Sequence, residues 1–290
     1  NLQKDVKKYV QNWIKEGLTD WDITRDISWG IPVPIDGMND KVFYGWFDNH
    51  LAYISSAVKF LNDNGKDGKK FWNESDIYHF IGKDIVYHHY LFLPAMRLGI
   101  EGEYKLPDYI PTRGHLTLQS KKISKSRNWY IGLKDFLQIF PADYLRFYLV
   151  SINPYSQDDL NFDWNEFATK INSELIGNLG NLVNRVLGFT VKSFDGIIPE
   201  PEEFDDTDKK SEKLIKEFVT DIGTLMEQNH LDRALKKIFQ FSAHFNQYFQ
   251  HKEPWKNNPG TNSCIYLSVN AVRSLAIAIY PFLPESSQKI

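Results

Sequence analysis

The stretch Gly114-His115-Leu116-Thr117-Leu118-Gln119-Ser120-Lys121-Lys122-Ile123-Ser124-Lys125-Ser126-Arg127 carries two signals. The alternation His115-Leu116-Thr117-Leu118 fits a short, half-buried strand. Lys121, Lys122, Lys125 and Arg127 then place four cations within seven residues, with the hydroxyls of Ser124 and Ser126 between them. Cations and hydroxyls on a loop that follows a strand suit a polyphosphate whose charge grows during reaction. A Lys/Ser run taken alone is more often a solvated basic loop, so the surrounding chain has to decide.

Upstream, the pattern alternates. Leu2, Val6, Val10, Trp13 and Ile14 recur at helical spacing, with Gly17 as terminator. Val42 to Phe47 reads as a buried strand, with Asp48 capping the helix whose apolar face is Leu51, Ile54, Val58 and Leu61; Asn64-Gly65 ends it. Ile77 to Ile81 reads as a second strand. Gly82-Lys83-Asp84 leads into a helix reaching about Leu98 that Pro94 should kink, and Tyr109 to Leu118 is a third extended segment. Strand, helix, strand, helix, strand predicts a parallel α/β sheet, with ligands beyond the carboxyl ends of its strands. Asp48, Asp84 and the lysine loop all follow predicted strands.

Downstream, from about Asp143, the period is helical. Phe167, Ile171, Leu175, Leu179, Leu182 and Val186 share one face; Ser193 to Lys210 reads as an exposed connector; Leu214–Met226, Leu231–Phe249 and Ile265–Ile279 complete a bundle, closed by Pro281 and Pro284. The fold expected is α/β then all-α, residues 1–152 and 153–290, with the change near Ile152 to Asp159.

The 290 residues suffice for two cores, and 42% hydrophobic with 15% aromatic content is that of a packed protein. No apolar run reaches the ~20 residues that span a bilayer. The single Cys264 excludes an internal disulfide and a cysteine-rich zinc cluster, and a cytoplasmic protein without a membrane partner is expected. A net charge of −3 leaves any nucleic-acid contact to local patches and stacking. Residue 1 is Asn rather than Met and stands against a helical pattern, so a segment of a longer protein is expected.

Lys122-Ile123-Ser124-Lys125-Ser126 matches the KMSKS signature with Ile for Met. Asp20-Trp21-Asp22-Ile23-Thr24-Arg25-Asp26, Trp46-Phe47-Asp48 with Tyr53, Gly82-Lys83-Asp84-Ile85 with His89, and Glu253-Pro254-Trp255 follow in order. On these blocks the chain resembles the class I aminoacyl-tRNA synthetases of the methionyl type over nearly its whole length. The family's His-Ile-Gly-His block and its zinc-binding insertion do not occur in it. The resemblance therefore implies the second, Rossmann-type half of a catalytic domain, a connecting region and an anticodon-binding bundle, inactive by itself.

The resemblance also implies substrates and roles. Methionine and ATP, the latter with Mg2+, form methionyl-adenylate, which is passed to tRNA(Met). Lys122 and Lys125 would stabilise the leaving pyrophosphate, with Ile123, Ser124 and Ser126 completing the ATP loop. Trp46, Tyr53, Ile85, His89, Phe92 and Trp21 would surround the methionine side chain, and Asp84 would meet its ammonium. Asn181, Arg185, Pro254 and Trp255 would read the CAU anticodon. Asn178, Asn181 and Arg185 lie at i, i+3 and i+7, one helix face. Periodicity alone leaves a solvated polar face and packed aromatics as the alternative. Two departures touch the pocket: Asn49-His50 replace the small residue and proline that often follow Trp-x-Asp, and His88 stands where an aromatic ring is common. A tRNA-binding module without chemistry, or a class I synthetase for leucine, isoleucine, valine or cysteine, are the other readings.

Overall fold

The four-residue step from Val6 to Val10 builds α1 (Lys4–Glu16), whose two valines pack with Ile81, Val86 and Ile110. The computed structural model describes residues 3–99 and 104–290, which fall into two compact units, Asn1–Gly114 and His115–Ile290. Leu2, expected at the head of α1, lies outside the described residues.

In the first unit, β1 (Thr24–Arg25) pairs antiparallel with β2 (Val42–Phe43). The strand expected over Val42–Phe47 stops at Phe43, and α2 runs from Gly45 to Asp63. A continuous apolar run does not distinguish strand from helix. Here helical pitch sends Trp46 and His50 to one side, and Asp48 lies in the first turn rather than at the cap. α3 (Gly68–Glu74) is capped by Asp67 and crosses α2 so closely that a Cβ on Gly68 would sit 2.5 Å from the Val58 carbonyl oxygen.

Instead of one wide parallel sheet, among the described residues β3 (Ile81–Gly82) pairs in parallel with β4 (Thr112–Arg113) alone, extended by a bridge between Tyr78 and Tyr109. Gln3 clamps β4 from the chain start, accepting from Thr112 N at 2.9 Å and donating to its carbonyl at 3.0 Å. A 3-10 turn (Lys83–Ile85), a π-helical turn (His88–Phe92) and α4 (Leu93–Leu98) follow. Pro94, lacking the N–H that would bond residue 90, stands at the start of α4; the expected kink takes the form of the widened turn before it.

In the second unit, β5 (Leu116–Leu118) lies between β6 (Lys121–Lys122), antiparallel, and β7 (Leu160–Phe162), parallel. Three helices belong to this layer and its edge: α5 (Leu133–Ile139), which periodicity had not revealed, α6 (Ala142–Ser151) and α7 (Trp164–Lys170); after a ten-residue π-helix (Ile171–Gly180), α8 (Asn181–Phe194) opens the bundle. The bundle is completed by α9 (Asp206–Glu227), α10 (Leu231–Lys252), α11 (Thr261–Ile279) and α12 (Pro284–Lys289). The connector is shorter than expected, because a reciprocal capping box between Asp205 and Asp208 starts α9 at Asp206.

The division between units falls at Gly114/His115, ahead of the Ile152–Asp159 change expected from periodicity. Leu118, Phe147, Tyr148 and Phe162 share one core with the bundle residues Leu182, Ile238, Phe245 and Leu275, so the strands and α6 belong with the helices. α11 is long and apolar enough to cross a membrane by composition, contrary to the expectation that no run would be; over half of it is buried in the bundle. Cys264, on α11, is a free thiol that burial pushes up to about 12.

Candidate functional site

At 3.6 residues per turn, Trp46, His50 and Tyr53 project from one side of α2. The widened turn carries His88, His89 and Phe92 toward them. Ring centroids lie 4.5 Å apart for Trp46–His88, 4.9 Å for His50–His89 and 6.1 Å for His50–Phe92. Trp21 closes the group, 5.4 Å from His88 and 5.8 Å from Phe92. The five rings expected around one ligand, Trp21, Trp46, Tyr53, His89 and Phe92, therefore join a single aromatic cluster. Asp84 and Ile85 sit in the preceding 3-10 turn. The exposed Asp84 acts on His88 through its charge, and Ile85 contributes its carbonyl.

That carbonyl fixes a tautomer. It can only accept, so His89 Nδ1, 3.0 Å away, carries the proton. Nε2 is then a lone pair, and the Tyr53 hydroxyl donates to it at 3.3 Å. Burial favours this neutral form and lowers the His89 pKa against the opposing carbonyl bond.

His50 and His79 belong to the same cluster and were missed as site residues. His50 is 0% exposed, with both ring nitrogens unpartnered among the described residues; His79 stacks edge-on to Tyr53 at 4.8 Å. Burial pushes both imidazoles down to about 4, and the neighbouring histidines and Arg97 push the same way. The signal for His50 was its spacing, four residues after Trp46 and three before Tyr53. His79, on another segment, gave none.

The lysine loop is a hairpin. Gln119 and Ser120, both at positive φ, make the two-residue turn between β5 and β6. Beyond β6 the chain closes again, Ser124 and Trp129 exchanging backbone hydrogen bonds of 2.8 and 2.9 Å. The Trp129 indole donates to the Leu118 carbonyl at 3.0 Å and lies under Lys121, whose Nζ is 5.0 Å from the ring centre. Lys122, Ile123, Lys125, Ser126 and Arg127 are exposed, and Ser124 Oγ meets Ser126 Oγ at 3.1 Å. Lys121 is thus occupied by an aromatic face, whereas Lys122 and Lys125 form no ion pair among the described residues.

On the bundle, Arg185 donates to Gln250 Oε1 at 2.8 Å, with its guanidinium carbon 5.3 Å from the Phe249 ring centre and 5.9 Å from that of Trp255. Asn181 donates to Asn246 at 3.0 Å. Asn178 meets the same partner as Asn181, its Oδ1 accepting from Asn246 Nδ2 at 3.1 Å. It lies near the end of the π-helix, and its amide donates to the Phe239 carbonyl at 2.9 Å. Pro254 is buried, while Trp255 is 45% exposed. The loop is held from behind by Lys252, 11% exposed, which bonds Asp205 at 2.7 Å and the 1% exposed Asp208 at 2.6 Å.

The profile of "tRNA synthetases class I (M)" matches residues 1–187. The chain belongs to this family. The methionine–tRNA ligase of Methanopyrus kandleri is 41% identical over 296 residues, covering 100% of this chain and 43% of that protein. That of Pyrococcus furiosus is 42% identical over 306 residues, covering 99% and 42%. Mycobacterium tuberculosis methionyl-tRNA synthetase in complex with methionyl-adenylate superposes with a TM-score of 0.88 at 27% identity, covering 99% of this chain and 57% of that one. The class I synthetase chain described here thus spans less than half the length of these curated relatives.

Proposed function

We propose that this chain is part of a methionine–tRNA ligase, residues 1–152, which take in the first unit and the β5–β6 hairpin and α6 of the second, contributing the second half of the catalytic domain and residues 153–290 the anticodon reader. The observation that carries the proposal is the closed cluster of Trp21, Trp46, Tyr53, His89 and Phe92, whose imidazole is kept neutral by burial and set in one tautomer by a backbone carbonyl. Methionine is apolar, soft and flexible, and an aromatic wall without charge suits its thioether. Asp84 at the rim supplies the carboxylate for the substrate ammonium, and Ile85 a further apolar contact.

Adenylate formation is an in-line attack of the methionine carboxylate on the α-phosphate of ATP. It depends on positioning and on stabilising the departing pyrophosphate. Lys122 and Lys125, exposed and forming no ion pair among the described residues, are the groups for that charge, with Ile123, Ser124 and Ser126 shaping the loop. Mg2+ would enter with ATP. A polypeptide of these 290 residues, lacking the His-Ile-Gly-His block, is expected to be inactive in adenylate formation. On the bundle, Asn181 and Arg185 offer donors to base edges, and Trp255, backed by Phe249 with ring centroids 6.2 Å apart, offers a stacking face beside the buried Pro254.

The test is binding to an anticodon stem-loop bearing CAU beside one with a changed anticodon, across a salt series. Preference for CAU that survives salt, and weakens about tenfold or more in Trp255→Ala, is the expected result, since one base–aromatic stack contributes about 1–3 kcal/mol. Equal, salt-sensitive binding to both loops would leave only phosphate attraction and remove the reader from the proposal.

A further inference from the structure

On the side of α2 facing away from Trp46, His50 and Tyr53 lies a cleft of about 470 Å³, walled by Leu51, Ile54 and Val58 from the helix and by Tyr104 and Arg97. Ser55 stands at its edge, and Lys59 at the rim is already paired with Asp63 at 2.7 Å. Asn62 and Asp63 also line it, Asn62 Oδ1 accepting from the Gly68 N–H at 2.9 Å, and the buried polar group in its wall is a cation. Arg97 is 4% exposed, and no carboxylate among the described residues pairs with it. Its Nη1 donates to two neutral carbonyls, Lys105 at 2.7 Å and Tyr104 at 3.4 Å, and its guanidinium carbon lies 5.3 Å from the Trp72 ring centre. Nε and Nη2 have no partner among the described residues.

A buried cation bonded only to carbonyls is costly unless an anion joins it. The unsatisfied pair, Nε–H and Nη2–H, forms one edge of the planar fork, which matches the two oxygens of a carboxylate. We propose that this cleft is a binding site for a small carboxylate with an apolar body. The carboxylate takes the Nε/Nη2 edge of Arg97, and the apolar body lies along Leu51, Ile54, Val58 and Tyr104. The site is separate from the cluster assigned above to methionine and does not depend on that assignment.

Calorimetric titration of the 290-residue chain with hexanoate, acetate and hexylammonium tests it. Hexanoate is expected to bind saturably and the other two at least tenfold more weakly, acetate for want of an apolar body and hexylammonium for want of the anion. Arg97→Gln should weaken hexanoate about tenfold to a hundredfold, the loss of one bidentate charged contact. Ser55→Trp, which fills the cleft from its exposed edge and leaves Arg97 in place, should abolish binding. This second variant keeps the test intact where Arg97→Gln fails to fold. Failure of hexanoate to saturate, or equal binding of hexylammonium, overturns the proposal. So does hexanoate binding that emerges only in a Glu101→Gln/Glu103→Gln variant, which would make a carboxylate of this chain the partner of Arg97.

Discussion

Lys252 bonds two aspartates of very different exposure, and their removal should cost different amounts. Asp208 is buried and also accepts from the Tyr248 hydroxyl at 2.6 Å, whereas the Asp205 side chain is largely in solvent. Lys252→Ala strands a buried carboxylate and is expected to lower stability by about 3–5 kcal/mol. Asp205→Ala removes an N-cap and an exposed ion pair and should cost about 1 kcal/mol. Urea denaturation of the two variants beside the parent measures both. Similar losses would mean that the pair with Asp208 is weaker than its burial suggests. Because Lys252 ends α10 one residue before Glu253, which takes a left-handed conformation at φ 45° to turn the chain toward Trp255, the same variant should also loosen the exposed indole.

At the scale of elements, the histidine cluster between α2 and the π-turn makes the first unit sensitive to acid. The folded pKa of His50 lies near 4, below the ordinary 6.5, so between those values the unfolded chain binds the extra proton. The stability present above pH 6.5 is therefore lost as pH falls through that interval, and the loss levels off below about 4. At 1.36 kcal/mol per pH unit, His50 accounts for on the order of 3 kcal/mol. His50→Phe should flatten the fall in urea midpoint between pH 7 and pH 4.5; an unchanged slope would locate the sensitivity elsewhere.

These elements were unequally legible. The long amphipathic helices α10 and α11 follow from their apolar steps. The π-helix Ile171–Gly180 does not, because Ile171, Leu175 and Leu179 satisfy an α period equally well while the hydrogen-bond pitch changes beneath them. Trp46, Tyr53 and His89 could be grouped by family resemblance. His79 could not, since only the folded chain brings it within 5.7 Å of His89.

At the scale of the molecule, the unit boundary was hidden for a related reason. β5 pairs with β7 through Leu116 and Leu160, forty-four positions apart, and no local pattern announces such a partnership. A dissection distinguishes the two boundaries. Residues 115–290 retain Phe147, Tyr148 and the β5–β7 pair and should melt cooperatively by circular dichroism. Residues 153–290 lose those fully buried rings and should melt earlier and less cooperatively. Equal melting would return the boundary to Ile152–Asp159.

The hairpin that presents Lys122, Lys125 and Arg127 also makes this region a substrate for trypsin. Its tip is an exposed turn rich in cleavage sites, flanked on both sides by closed backbone pairs. A first cut after Lys125 is expected within minutes under limiting protease. Since β5 remains paired with β7 across the cut, the two pieces should co-elute from a sizing column and part only in denaturant. A polyphosphate resting on the same lysines would register as a slower nick, giving the loop a readout that needs no catalysis.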